Sequence, residues 1–188
     1  TLEYWLMYLL KNSNSASISA VVASIVLAFP DKTFNVAKVL FQVKEFFLYD
    51  TNRWLLDQSQ KSQLLMLKNN FGFNSINKIH ENERLKACDD KHRKCHLENL
   101  FLQYQVFKNE SVTEDEVKAR QKKLWKILDN YYKELPNEEE QIDSDHTWIM
   151  FLARMDYRKM TPSIKETEAG VEIHWNPEIE PKLKQKSE

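Results

Sequence analysis

Glycine is almost missing from this 188-residue chain, in which only Gly72 and Gly170 occur. Average usage would give about 13 glycines in a chain of this length. Tight hairpins and β-bulges usually depend on glycine, so the composition argues against a strand-rich fold. The P-loop and the dinucleotide fingerprint also need several closely spaced glycines, and neither can be written here. The composition therefore predicts a mainly helical protein without a Gly-rich phosphate loop.

Cysteine and net charge are low as well. The two cysteines, Cys88 and Cys95, lie in a polar stretch and do not form a disulfide framework, which favours a reducing cytoplasm. The formal net charge of −1 provides no overall attraction for nucleic acid or for an anionic membrane. We therefore expect a cytoplasmic protein without a nucleic-acid partner.

Long hydrophobic runs are absent too. The most apolar stretch, 16–29, is shorter than the roughly 17–25 residues that cross a bilayer. A membrane hairpin at this end of the chain is the weaker alternative. We expect a fully buried core helix over Ile18–Phe29 and no membrane partner.

What the sequence does contain is a series of helical patterns separated by polar turns. Leu2–Lys11 and Ile18–Phe29 predict the first two helices. A third is predicted from Asp31 or Thr33 to Tyr49, and a fourth is capped by Asp50 and Thr51 and runs to Leu67. The sequence further predicts a loop over 69–77 around Gly72 and a long helix over 79–108. Thr113 and Glu116 form a predicted capping box at the start of the next helix, which Pro136 ends. A last helix is predicted through Trp148 and Met155.

These elements predict an all-α fold, either an irregular multi-helix bundle or an α-solenoid-like segment, with a short extended or β C-terminal tail. We expect a helical domain over 1–160 and an extended tail over 161–188. Within the tail, the alternation over 171–175 is typical of a short strand. Because residue 1 is threonine and core-like helix follows at once, we expect a fragment of a longer chain.

The best candidate for chemistry is a group of cysteine and histidine residues. These are the residue types that bind zinc, and on one helix they would fall within roughly 100° of arc: Cys88, His92, Cys95 and His96. Ligands on one straight helix point the same way, so another ligand would have to come from elsewhere, from His80, His146 or His174. In the alternative interpretation, the cysteines are small buried residues and the histidines are ordinary surface groups.

Two charged clusters and the question of catalysis complete the inventory. The basic residues 118, 120, 122, 123 and 126 follow an acidic first turn on one helix, which a solvated helix face explains without a ligand. A second cluster, Arg154, Asp156, Arg158 and Lys159, is either a partner contact or an internal ion-pair network. The Gly-x-Ser-x-Gly elbow of hydrolases is missing. We therefore predict no catalytic residue and no enzyme activity for this segment.

Several strings resemble large bacterial ATP-binding proteins of the STAND/NACHT class, and most closely the anti-phage AVAST (Avs) group. They cover 12–31 (NSNSASISAVVASIVLAFPD), 44–50 (KEFFLYD), 79–94 (IHENERLKACDDKHRK), 151–160 (FLARMDYRKM) and 176–181 (NPEIEP). The resemblance implies an N-terminal effector, a central P-loop ATPase and a helical region that senses phage proteins. Because this chain lacks the P-loop lysine and the acidic Mg²⁺ motif, ATP and magnesium are implied only for the parent protein.

The resulting hypothesis is a non-catalytic helical scaffold or sensor segment of a multidomain bacterial anti-phage protein. It would act through contacts with protein partners, with other domains of the same chain and with phage proteins, and it would need no cofactor of its own. The alternative is a stand-alone helical metal-binding domain or enzyme that uses Cys88, His92, Cys95 and His96.

Overall fold

A computed structural model of the chain describes residues 1–71, 75–107, 112–167, 170–179 and 181. Backbone contacts divide the chain into two compact units, Thr1–Leu100 and Phe101–Glu188. The domain boundary expected at residue 160 stays a prediction. The predicted helical character is confirmed, since the described residues are mostly helical with one short antiparallel sheet near the C-terminus.

The first unit is built from α-helices and short 3₁₀ turns. In chain order its helices are α1 (Leu2–Asn12), α2 (Ala16–Ala28), α3 (Phe34–Leu40), α4 (Lys44–Phe71), α5 (Ser75–Ala87) and the first residues of α6 (Leu97–Val106). Helices α1, α2 and α3 contact one another pairwise. The core beneath them contains Leu6, Val22, Val26, Leu40 and Phe41, and the Phe41 and Phe47 rings stack at 5.7 Å.

The prediction that Asp50 and Thr51 cap a fourth helix was wrong. Both residues lie inside α4, and the chain breaks earlier, at residues 41–43. Thr51 donates its hydroxyl to the carbonyl of Phe47 one turn back, as threonine does within a helix. The loop predicted over 69–77 is also wrong where it can be checked, since α4 continues to Phe71 and α5 starts at Ser75. Gly72 lies outside the described residues.

The long helix predicted over 79–108 is in fact two helices. Helix α5 ends at Ala87, and α6 starts only at Leu97. We call the intervening residues 88–96 the interhelical loop; its centre is a 3₁₀ turn, Lys91–Arg93. The predicted apolar side of α6 is buried at Leu97, Leu100, Phe101 and Tyr104, whereas Phe107, past the helix end, is 65% exposed.

Helix α2 is not fully buried, contrary to expectation. Val22, Ala23, Val26 and Leu27 are buried on one face, whereas Val21 on the other face is 52% exposed. Within the described residues, no helix combines the length and the apolar character that crossing a membrane requires.

The second unit contains the remainder of α6, then α7 (Glu114–Glu134), α8 (Asp143–Met155), β1 (Met160–Thr167) and β2 (Gly170–Pro177). The predicted capping box is confirmed: the N–H of Glu116 donates to the Thr113 hydroxyl, and Glu116 accepts from the N–H of Thr113. Helix α7 buries Leu124, Leu128 and Tyr131, and the Tyr131 ring meets Trp148 of α8 edge to face at 5.0 Å.

Strands β1 and β2 form an antiparallel hairpin in which Met160 lies opposite Pro177 and Thr167 lies opposite Gly170. The strand predicted over 171–175 lies within β2, whereas β1 was not predicted. One of the two glycines serves this hairpin, because Gly170 has a φ of 136°, a conformation that residues with a β-carbon rarely adopt. Scarcity of glycine therefore limited the sheet but did not exclude it.

Candidate functional site

A cavity of about 380 Å³ lies between α2 and α4. Helix α2 lines it with small side chains, which leave the space open: Ala16, Ser17, Ser19, Ala20 and Ala23. Helix α4 contributes Phe46, Tyr49, Asp50 and Arg53. The cavity thus joins a mainly small and apolar wall to one charged pair.

Both members of that pair are already hydrogen-bonded within the chain. Asp50 is 5% exposed; its Oδ1 accepts from Arg53 Nε at 2.6 Å, and its Oδ2 accepts from the backbone N–H of Leu97 at 2.6 Å. Arg53 also donates to Asp57 at 2.6 Å and to the carbonyl of Cys95 at 2.8 Å. The charges therefore stabilise the fold, and the remaining space suits an apolar group better than a charged ligand.

Side chains of helix α4 hold the interhelical loop by donating hydrogen bonds to the backbone carbonyls of that loop. Arg53 donates to the carbonyl of Cys95, the Trp54 indole donates to that of Lys94 at 3.1 Å, and the Gln58 amide donates to that of Arg93 at 3.0 Å. Three successive carbonyls of the loop thus follow one side of α4. We call this set of bonds the α4 clasp.

Ion pairs hold the start of the loop to the same helix. Asp89 lies 2.7 Å from Lys61 Nζ and 3.4 Å from Lys94 Nζ. The hydrogen bond from Lys61 is the largest cause that lowers the pKa of Asp89, and the one from Lys94 adds to it. Both pairs are about half exposed, so they position the loop more than they stabilise it.

The four cysteine and histidine residues of the predicted metal site have separate partners. Cys88 is buried and its thiol donates to the carbonyl of Arg84, whereas His92 borders a shallow depression with Val21 and Ile25 of α2. The backbone of Cys95 belongs to the α4 clasp, and the His96 ring lies 5.0 Å from that of Trp54.

The shared helical face on which the metal prediction depended does not exist, because the residues lie in the interhelical loop. Across the part of the chain that the structure describes, no three side chains of His, Cys, Asp or Glu form a group that could hold a metal ion. The extra ligands considered lie elsewhere: His80 is exposed on α5, His146 is 3.7 Å from Asp143, and His174 is 3.3 Å from Glu172.

Cys95 does not have the environment of a reactive thiol. Burial raises the pKa of its thiol, and the positive charge of Arg53 opposes this only in part. A raised pKa leaves less thiolate at neutral pH, whereas catalytic cysteines require the opposite shift.

Helix α1 carries three neighbouring aromatic side chains that are exposed. Tyr4, Trp5 and Tyr8 are 61%, 62% and 51% exposed. Their rings touch edge to face, with centroids 5.4 Å apart for Tyr4 and Trp5 and 6.1 Å apart for Trp5 and Tyr8. We call these three residues the α1 aromatic surface.

The two charged clusters of the second unit differ in their surroundings. Asp156 is fully buried and accepts from both the backbone and the guanidinium of Arg158, which also reaches Asp129 at 2.8 Å. Lys159 lies over the Tyr132 ring at 3.9 Å. The ion-pair interpretation is therefore confirmed for Asp156 and Arg158, whereas the partner-contact alternative stays a prediction. On α7, Lys118, Lys122, Lys123 and Lys126 are exposed.

Residue patterns did not reveal the positions that organise the two units. Asp50, Arg53 and Trp54 bond to residues 40 or more positions away, and Gln105 of α6 bonds to both α7 and α8. A polar residue on an apolar helix side is the only local signal of such a role. No protein-family model matches the sequence, and no curated protein matches it.

Proposed function

We propose that this chain is a non-catalytic helical scaffold or sensor that acts through protein–protein contacts. Following the resemblance, we assign it to a multidomain bacterial ATP-binding anti-phage protein of the cytoplasm, as a bundle-like or solenoid-like segment outside the ATPase core. Its partners would be other domains of that protein and phage proteins.

The observation that carries the contact role is the α1 aromatic surface. Tryptophan and tyrosine are enriched in protein interfaces, because each offers a large rigid contact area together with a polar atom. Three such rings, of which Trp5 contacts both tyrosines, are each more than half exposed and form a surface with the composition of an interface centre.

Helix α1 is also fixed in place, which favours recognition by shape. Leu6 is buried under it, and the Glu3 carboxylate accepts from the backbone N–H of Asn35 at 2.9 Å and from its side-chain amide at 3.1 Å. These bonds cap the first turn of α3 from outside that helix. A partner would therefore meet rings that are already positioned, and less conformational entropy is lost on binding.

The α2–α4 cavity offers a route by which such a contact could be transmitted. Helix α1 contacts α2, and α2 supplies the small residues that line the cavity opposite Tyr49 and Arg53. An apolar side chain of a partner or of a neighbouring domain would fit this space. Movement of α2 would then reach the Asp50–Arg53 pair and, through it, the interhelical loop.

Photo-crosslinking in the full-length protein tests the contact role. A benzophenone amino acid at position 8 should crosslink to another domain or to a phage protein in infected cells. The same group at Lys11, which is exposed on the same helix, is the matched control. Equal labelling from both positions, or none from position 8, would count against the α1 aromatic surface.

Phage challenge tests the assignment to a defence protein. Bacteria that carry the complete gene should resist phage, and Trp5→Ala combined with Tyr8→Ala should abolish resistance while Lys11→Ala retains it. The complete reading frame should also encode a P-loop. A polypeptide without that motif and without protection would refute the assignment, whereas protection that survives the aromatic changes would refute only the surface.

A further inference from the structure

The β1–β2 hairpin has one mainly apolar and one polar face. Because side chains alternate along a strand, the register places eight residues on the mainly apolar face, of which only Glu166 is charged: Met160, Pro162, Ile164, Glu166, Val171, Ile173, Trp175 and Pro177. Trp175 packs on Tyr157 at 5.0 Å, but further along the hairpin the face is open. Ile164, Val171 and Ile173 are 73%, 65% and 58% exposed.

Proline fixes which backbone groups point outward. In an antiparallel ladder, directly opposed residues alternate between hydrogen-bonded and non-hydrogen-bonded pairs. Pro162 lies opposite Trp175 and has no N–H to donate, so this pair belongs to the non-hydrogen-bonded set. Two-residue alternation then directs the N–H and C=O groups of Val171, Ile173 and Trp175 away from β1.

The two edges of the hairpin differ in their protection. The β1 edge contains Pro162, a residue that blocks strand pairing. The β2 edge has a proline only at its last residue, Pro177, and its sequence over 171–175, Val-Glu-Ile-His-Trp, contains neither proline nor lysine. In the described part of the chain this sheet has only its two strands. The β2 edge therefore offers three outward-facing residues to another strand.

We propose that β2 pairs with β2 of a second copy of this chain, antiparallel about a two-fold axis that passes between the two Ile173 residues. In this register Ile173 lies opposite its own counterpart, and Val171 lies opposite the second copy's Trp175. Outward backbone groups thus meet outward backbone groups at all three residues of each strand. Such a closed, self-complementary contact is the commonest form of protein dimer.

Charge selects this register over its neighbours. Glu172 comes to lie opposite His174 of the second copy, twice across the two-fold axis, so that a carboxylate acceptor faces an imidazole that can donate a hydrogen bond. A shift of the axis to residue 172 would place glutamate opposite glutamate, and a shift to residue 174 would place histidine opposite histidine. Like groups directly opposite each other destabilise a sheet. Axes between residues are excluded because they oppose outward and inward backbone groups.

Dimerisation also accounts for the open apolar face. An isolated two-stranded hairpin is marginally stable in water, and pairing converts it into a four-stranded sheet in which Ile164 and Ile173 of both copies form one row. The contact is short and falls below the roughly 1,200 Å² of a standard interface. We therefore expect a weak dimer, with a dissociation constant of about 10–100 µM.

Two proline variants of the whole 188-residue chain test the edge by sedimentation equilibrium. Ile173→Pro and Ile164→Pro both remove one member of the same cross-strand pair and one outward N–H, but only the first removes it from the β2 edge. Ile173→Pro should weaken the dimer at least tenfold, and Ile164→Pro should weaken it less than threefold. Equal effects of the two variants, or a wild-type chain that is monomeric at about 500 µM, would overturn the proposal.

Complementary charge variants test the register. His174→Glu makes both positions acidic, and Glu172→Lys with His174→Lys makes both basic. Each variant alone should be monomeric, and an equimolar mixture should form a heterodimer at least as tight as the wild-type dimer. Self-association of either variant with wild-type affinity, or a mixture that stays monomeric, would contradict pairing about Ile173.

Discussion

The buried carboxylate of Asp50 accepts a hydrogen bond of 2.6 Å from the backbone N–H of Leu97, the first residue of α6. Asp50 belongs to α4, so one helix caps another across 47 sequence positions. The first N–H groups of a helix have no partner within it, and a carboxylate also complements the positive end of the helix dipole. The same carboxylate holds Arg53, from which the α4 clasp starts.

Replacement of Asp50 by alanine should destabilise the first unit strongly. The change leaves the Leu97 N–H without its acceptor and Arg53 without one of its two carboxylate partners in a largely buried place, and loss of one partner from such a pair costs about 3–5 kcal/mol. Asp50→Asn keeps an acceptor but loses the charge, so its cost should lie between that of alanine and zero. Urea denaturation monitored by circular dichroism measures both.

Asp57→Ala is the control for the Asp50 variants. Asp57 binds the same guanidinium, but its side chain is 20% exposed and does not cap a helix. We expect a loss of about 1 kcal/mol. If Asp50→Ala costs no more than Asp57→Ala, the capping bond does not hold the two helices together.

Asp50 also shows where sequence patterns mislead. Asp followed by Thr before an apolar run is the local signature of a helix start, and it predicted a cap where α4 in fact continues. The signature of a cap is the same whether the free N–H groups lie next to the residue or on another helix. Only the three-dimensional fold brings the Asp50 carboxylate to the N–H of Leu97, and no local sequence pattern encodes that pairing.

Structural features that depend on interactions between residues close together in the sequence were predictable. The Thr113–Glu116 box was identified because both of its hydrogen bonds close over three residues, and α7 ends just before Pro136 as expected. The interhelical loop was missed for the opposite reason. Its residues have ordinary helical propensity, and contacts with Arg53, Trp54 and Gln58 hold them in a non-helical path. The metal-site prediction assumed the missing helix and lost its geometry with it.

The α4 clasp should control access to the interhelical loop. Gln58→Ala removes the bond to the carbonyl of Arg93, which contributes about 1 kcal/mol, so local opening should become about fivefold more frequent. Trypsin cleavage at Arg93 and Lys94 under native conditions measures this opening, provided that the opening equilibrium is fast relative to cleavage.

The matched control for the clasp is Gln63→Ala. Gln63 lies on the same helix, is exposed and bonds to Ser59 rather than to the loop. Trypsin should cleave the interhelical loop of Gln63→Ala at a rate within a factor of two of the wild-type rate. Similar acceleration by both variants would show that α4 frays as a whole and that Gln58 has no specific role.

Gln105 should be a sensitive polar position of the second unit. It is 1% exposed; its amide donates to the carbonyl of Met155 at 2.7 Å, and its carbonyl oxygen accepts from the Trp125 indole at 3.0 Å. Gln105→Leu removes these hydrogen bonds from the buried Met155 carbonyl and from the partly buried Trp125 indole, at a cost of about 2–4 kcal/mol. Guanidinium denaturation followed by tryptophan fluorescence measures the loss.

Gln103→Leu makes the same chemical change on the exposed side of α6. Its effect on the free energy of unfolding should stay within about 0.5 kcal/mol. A Gln105→Leu variant that is as stable as Gln103→Leu would mean that apolar packing replaces the hydrogen bonds without loss.

Alkylation of Cys95 should be slow at neutral pH and should accelerate only above the ordinary thiol range. Burial raises the pKa of this thiol from its ordinary value of 9.0, and each unit of increase lowers the thiolate fraction tenfold at neutral pH. The Cys88→Ala variant isolates this thiol, since the chain has two cysteines and only Cys95 remains. The rate at which Cys95 reacts with iodoacetamide, measured against pH in the folded protein, should have a midpoint above pH 9.0. In guanidinium the midpoint should fall towards the ordinary value. A folded-state midpoint below the unfolded one would reveal an activated thiolate, and the non-catalytic assignment of this segment would then have to be abandoned.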